Sequence, residues 1–258
     1  MANIVLAHGI LGFGSVFPRQ PLHYFNGIKK LYEDAGHEVM CPSVAPLGSL
    51  DLRAATLEGR IAARRWKDRD GPIFMLGHSM GGLDCRRVIA SSARLQGRIK
   101  RLVTVATPHF GSPVASALLS PPVLLSFSPL KWVLGLFKND AGALADLQSR
   151  NHLQDPDWGG VEYLCIGCDR AQGHTSALFA ATALVGALSG VPNDGVVSLA
   201  SASKTQKASD LWARWPADHG EAIGWPSDGL GHALAKAVTT PPAEHIDRYR
   251  ALLPHLVA

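Results

Sequence analysis

The run Gly77-His78-Ser79-Met80-Gly81-Gly82 constrains this chain most. It stands between an apolar strand pattern, Pro72 to Leu76, and a helical pattern carrying Leu83, Val88 and Ile89. A bare G-x-S-x-G arises by chance in about one chain in five of this length, so the spacing alone decides little. Its place between strand and helix decides more. A serine held at such a turn needs glycine on either side, because the backbone is strained and the flanks leave no room for side chains. The helix that follows points its positive end at the serine. A plain glycine-rich turn is the alternative; the context favours Ser79 as a nucleophile.

Strand-like runs recur along the chain at Asn3 to Ala7, Glu38 to Pro42, Arg101 to Ala106, Val161 to Ile166 and Leu211 to Trp215. Helical stretches lie between them at Leu22 to Ala35, Leu52 to Asp68, Gly82 to Leu95 and Ala143 to His152. In one of these, Leu57, Ile61, Ala62 and Trp66 share helical spacing while Arg60, Arg64, Arg65 and Lys67 fall on the other side. Alternation of this kind predicts a mostly parallel central sheet with helices on both faces, here as a single domain over residues 1–258.

A glycine-rich loop also follows the first strand, His8-Gly9-Ile10-Leu11-Gly12-Phe13-Gly14. Acyl transfer needs backbone N–H groups aimed at a developing oxyanion, and the amides of Ile10 and Met80 are the pair best placed to supply them. The orienting acid and the base are expected after the serine, in that order. Among many downstream carboxylates Asp194 is chosen, because Pro192-Asn193-Asp194-Gly195 would hold it at a fixed loop tip; the same residues also make an ordinary turn. Among His219, His232, His245 and His255, the first lies in a loop after a strand and is chosen as base. His245 is the next candidate, and His232, His245 and His255 read as surface residues.

Several chemistries are set aside. Twenty-five Lys+Arg against 21 Asp+Glu, a formal +4 without a basic run, do not suggest nucleic-acid binding. Cys165-Ile166-Gly167-Cys168 has no second pair and reads as one buried and one loop cysteine, not a zinc or redox site. No nucleotide loop or metal motif occurs, so no cofactor is expected. Prolines interrupt the long uncharged stretch from Leu102 to Leu130, which argues against a transmembrane span. The opening residues lack the pattern of a signal peptide, which suits a cytoplasmic protein or the mature part of an exported one.

The segment Ser116 to Phe137 breaks the alternation, being rich in Leu, Val and Phe and split by Pro121, Pro122 and Pro129. It reads either as a buried insertion or as an apolar lid, bounded at about residues 113–140, over a pocket for greasy substrate.

Together the opening strand with His8-Gly9, the Gly77 to Gly82 turn, Thr107-Pro108-His109-Phe110-Gly111-Ser112, Asn193-Asp194-Gly195 and Asp218-His219 resemble the bacterial triacylglycerol lipases of the Pseudomonas and Burkholderia type, with their α/β-hydrolase fold. The likeness implies an ester hydrolase with Ser79, Asp194 and His219 as triad and Ile10 and Met80 as oxyanion donors. It also implies lipid esters as substrate, met at an oil–water interface. A depolymerase, an acyltransferase or an inactive binding protein on the same scaffold are the alternatives. Those lipases hold a structural calcium. Here one of its acid positions falls in a region with His174 and no Asp, and only Glu221 matches the other, so no metal is expected. Their disulfide has no counterpart, and a foldase partner is not expected.

Overall fold

The computed structural model describes residues 1–10, 24–112, 115, 142–148, 160–170, 191–225 and 243–258. The proposed lid, Ser116 to Phe137, lies outside them, as do His174 and His232.

Among the described residues six strands form one sheet: β1 (Asn3–Ala7), β2 (Glu38–Met40), β3 (Ile73–His78), β4 (Ile99–Val105), β5 (Glu162–Cys168) and β6 (Ala213–Trp215). Their order is β2-β1-β3-β4-β5-β6, and every neighbouring pair is parallel. Parallel pairing requires crossovers, which the helices α1 (Ile28–Asp34), α2 (Leu50–Ala63) and α3 (Met80–Ser91) supply. They are joined by α4 (Gly142–Gln148), the short α5 (Leu199–Ala202) and α6 (Ala243–Leu256).

Side chains alternate across the sheet and so divide the core in two. Ile4 and Leu6 of β1, with Phe74, Leu76, Val103 and Val105, face Ile28 and Tyr32 of α1 and Tyr249 and Leu252 of α6. Val5 and Ala7, with Ile73, Met75 and Leu102, face Leu57 and Ile61 of α2 and Val88 and Ile89 of α3. Burial on both faces is why these strands read as continuous apolar runs.

Boundaries differ from the sequence expectation where capping intervenes. Ser49 accepts from the Leu52 amide and starts α2 at Leu50, and the extended backbone at Arg64 ends it at Ala63, although Trp66 is still buried against the same layer. Gly27, at φ 72°, delays α1 until Ile28. Among the described residues no helix is long and apolar enough to cross a membrane.

The chain runs from β1 outward to β2, then returns to lay β3 on the other side of β1 and proceeds to β6. The strand order therefore reverses between β1 and β3, and the crevice above their carboxyl ends is where open parallel sheets bind ligands. Ser79 follows β3 directly and His8-Gly9-Ile10 follows β1.

Candidate active site

β3 ends at His78 and α3 begins at Met80, leaving Ser79 alone at the turn with φ 56° and ψ −133°. A serine at positive φ is strained, and the packing around it holds it there. The Ser79 amide donates to the Val105 carbonyl at 2.9 Å. A Cβ on Gly77 would come within 2.5 Å of the Gly82 backbone, and one on Gly81 within 2.1 Å of the Ala7 carbonyl oxygen. Both positions admit only glycine, as the sequence pattern requires.

The loop after β6 brings His219 to the serine. Its Nε2 lies 3.0 Å from Ser79 Oγ and its Nδ1 lies 2.8 Å from Asp194 Oδ2. An ionised carboxylate only accepts, so Nδ1 carries the hydrogen and Nε2 presents its lone pair to the serine hydroxyl. Asp194 is fully buried; its Oδ1 accepts the amides of Val196 at 2.9 Å and Val197 at 2.7 Å. The Asp194 carbonyl accepts the His219 amide at 2.9 Å, which fastens the two loops together. Asn193 shapes the tip by accepting the Gly195 amide and donating to the Val191 carbonyl, both at 2.9 Å.

Met80 and Ile10 meet in one apolar cluster with Leu50, Leu83, Ala115, Ala143 and Leu147. Ile10 follows His8 and Gly9, which are tied into the fold. His8 Nδ1 lies 2.9 Å from the Gly9 carbonyl, and its Nε2 accepts the Val44 amide at 3.1 Å. Burial, with Arg53 adding to it against the Gly9 bond, lowers the His8 pKa to about 4. Arg53 donates from Nη2 to the His8 carbonyl and ion-pairs with Asp84 on α3, both at 2.7 Å. Burial raises the Asp84 carboxyl to about 6, with Arg53 pulling the other way.

His245, read from the sequence as a surface residue and as the second candidate for base, is buried and lies elsewhere, its Nε2 2.6 Å from the Asn26 carbonyl. His255 is exposed, as expected. Cys168 is not in a loop: β5 runs on through Gly167, and both Cys165 and Cys168 are buried free thiols. Glu221 does not stand ready for a cation. Its Oε2 accepts the Asp218 amide at 2.9 Å and its Oε1 pairs with Arg170. Among the described residues no group of three or more acids, histidines or cysteines could hold a metal.

A family described as PGAP1-like alpha/beta domain matches residues 60–119, which include Ser79. A metagenomic carboxyl esterase superposes with a TM-score of 0.72 over 98% of this chain and 75% of its own, at 20% identity. The chain has the α/β-hydrolase fold. Triacylglycerol lipase 2 of Saccharomyces cerevisiae is 27% identical over 224 residues, 79% of this chain and 63% of the yeast protein. A triacylglycerol lipase of Pseudomonas fragi is 30% identical over 115 residues, 45% of this chain and 37% of that lipase. The chain thus spans less than two thirds of the length of either relative.

Proposed function

We propose that this chain is a serine carboxylic ester hydrolase, and specifically a triacylglycerol lipase, with Ser79, His219 and Asp194 as its triad. One observation carries the reading: the hydrogen-bonded line from Ser79 Oγ through His219 to a buried Asp194, at a strained turn between strand and helix. Ser79 Oγ attacks the ester carbonyl carbon as its proton passes to His219 Nε2. The new oxyanion accepts hydrogen bonds from the Ile10 and Met80 amides, and its collapse expels the alcohol, which takes the proton from Nε2. Water then attacks the acyl-serine, giving its proton to Nε2. That proton returns to Ser79 as the acid leaves.

The names of the yeast and Pseudomonas fragi relatives support a triacylglycerol substrate, and the second supports the Pseudomonas type of lipase. In this reading residues 1–258 are one hydrolase domain and residues 113–140 its lid. Between Ser116 and Phe137 only Lys131 is charged, so exposing the segment to water is costly and settling it on oil is not. The test follows hydrolysis of tributyrin below and above its solubility limit, in the parent, Ser79→Ala, Leu124→Ser and Leu134→Ser. The lipase reading expects no turnover in Ser79→Ala, a rise in the parent's rate at the limit, and a smaller rise in the two leucine variants. Parental turnover in Ser79→Ala overturns the mechanism. Absence of any rise, with both leucine variants unchanged, overturns the lid and the preference for an interface.

A further inference from the structure

His78, the residue before the nucleophile, has a buried imidazole with a partner at each end. The Tyr24 hydroxyl lies 2.7 Å from Nδ1, and Nε2 lies 3.1 Å from the main-chain carbonyl oxygen of His219. A carbonyl only accepts, so Nε2 carries the ring hydrogen. Burial and the neighbouring His219 hold the His78 pKa well below its ordinary value, which leaves Nδ1 as a neutral acceptor. Burial likewise raises the Tyr24 phenol, keeping its proton in place. The two bonds therefore run in one direction, from Tyr24 O–H into the His78 ring and from His78 Nε2–H to the His219 carbonyl.

We propose that His78 and Tyr24 are positioning residues for the base: they fasten the main chain of the His219 loop to the elbow that presents Ser79. The inference rests on the hydrolase reading above. Its reason lies in what the reaction does to the triad. The bond between Ser79 Oγ and His219 Nε2 breaks in every turnover, once His219 has taken the serine proton. The bonds from His219 to Asp194 survive that step, but they tie the base to the acid's loop and not to the nucleophile. The bond from His78 Nε2 joins the His219 segment to the residue beside Ser79, and it involves no atom that gains or loses a proton.

The surroundings suit a rigid bridge. The His78 and His219 rings lie 4.7 Å apart at 46°. Tyr24 packs on the rings of His8, Phe25 and Trp225 at 5.1–5.8 Å. Trp225 returns to the same place, donating from Nε1 to the Tyr24 carbonyl at 3.2 Å and from its amide to the Gly220 carbonyl at 3.0 Å. The residue after His219 is thereby tied to Tyr24 a second way.

The test uses the full chain with p-nitrophenyl butyrate, and reads KM and kcat per serine titrated by a fluorophosphonate. Variants are His78→Gln, His78→Asn, Tyr24→Phe and, as control, Ser79→Ala. Glutamine places an N–H donor where Nε2 stands, whereas asparagine does not reach the His219 carbonyl. His78→Asn is expected to lose about ten- to a hundredfold in kcat per titrated serine at parental KM. His78→Gln should stay within about threefold of the parent, since the donor is restored. Tyr24→Phe, which keeps the ring but leaves buried His78 Nδ1 without its donor and so holds the imidazole less firmly, should fall between.

A merely structural role would lower the titratable fraction and the melting temperature while leaving kcat per site alone. Parental kcat per site in His78→Asn overturns the proposal, as does an equal loss in His78→Gln and His78→Asn. Should His78→Asn fail to fold, Tyr24→Phe decides: a severalfold loss at parental KM supports the bridge and parental kcat overturns it. Undiminished turnover in Ser79→Ala would instead overturn the hydrolase reading itself.

Discussion

Arg53 holds Asp84 with two nitrogens, Nε at 3.1 Å and Nη2 at 2.7 Å, and the same Nη2 reaches the His8 carbonyl at 2.7 Å. The pair thus links α2 and α3 to the loop that carries Ile10, with both side chains fully buried. Removing one partner of such a pair strands a buried charge, at a cost of about 3–5 kcal/mol. Arg53→Leu alone should therefore lower the urea midpoint sharply. The double variant Arg53→Leu with Asp84→Leu should recover most of that stability, since no lone charge remains. It should not recover kcat, because the His8 carbonyl still lacks its donor. Parental kcat in the stable double variant would show that Arg53 has no part in placing the Ile10 loop.

That pair marks the limit of what the sequence discloses. The strands were legible because burial on both faces leaves uninterrupted apolar runs, and Ile4/Leu6 against Val5/Ala7 do divide between the two cores. Ser79, Asp194 and His219 were legible because each sits in a turn or loop signal after a strand or beside glycine. Arg53 was not. It stands in a helix whose other arginine, Arg60, is exposed, and its partner is 31 residues away on another helix, so its burial depends on how α2 is rotated against α3. His245 misled for a like reason, since it opens an amphipathic helix but bonds to a carbonyl 219 residues away. Cys168 looked like a loop residue after Gly167, yet pairing of Gly167 with Arg214 and of Cys168 with Trp215 keeps both in the sheet.

Asp194 is expected to act through the orientation of His219 more than through its charge. Asp194→Asn preserves the shape of the loop, but its oxygen stays with the Val196 and Val197 amides, so its NH2 donor faces Nδ1 and favours the imidazole tautomer with the hydrogen on Nε2. A loss of about ten thousandfold in kcat is expected. His219→Ala should cost as much as Ser79→Ala, and the double variant should be little worse than either, because the triad acts as a unit. A strictly additive loss in the double variant would contradict that.

His8 makes the fold sensitive to mild acid. Burial lowers its folded pKa to about 4 from an ordinary 6.5. Above pH 6.5 the contribution to stability is fully present. Below it the unfolded chain takes a proton that the folded chain refuses, so stability falls as the pH drops from 6.5 towards 4, by about 3 kcal/mol for this residue. Buried His78 and His109, both lowered chiefly by burial, act in the same direction. Protonation of His8 also deprives the Val44 amide of its acceptor. Urea midpoints measured at pH 7 and pH 5 should differ clearly in the parent and less in His8→Gln. An equal difference in both would remove His8 as a cause.

Arg170 offers the last test, because it supplies the positive charge that Glu221 needs without any ion. The Glu221 carboxylate is shared between the Arg170 side chain and the Asp218 amide, and Asp218 Oδ1 in turn accepts the amides of Gly220 at 2.9 Å and Glu221 at 2.8 Å. These bonds close a small knot around His219. Hydrolysis of a soluble ester is therefore expected to be unchanged by EDTA and by added calcium. Both side chains are partly exposed, so Arg170→Gln should cost no more than about 1 kcal/mol of stability. It should lower kcat more than that loss alone accounts for, because the loop holding the base is loosened. A loss of activity on chelation, reversed by calcium, would mean that oxygens beyond Glu221 hold an ion and that Arg170 does not take its place.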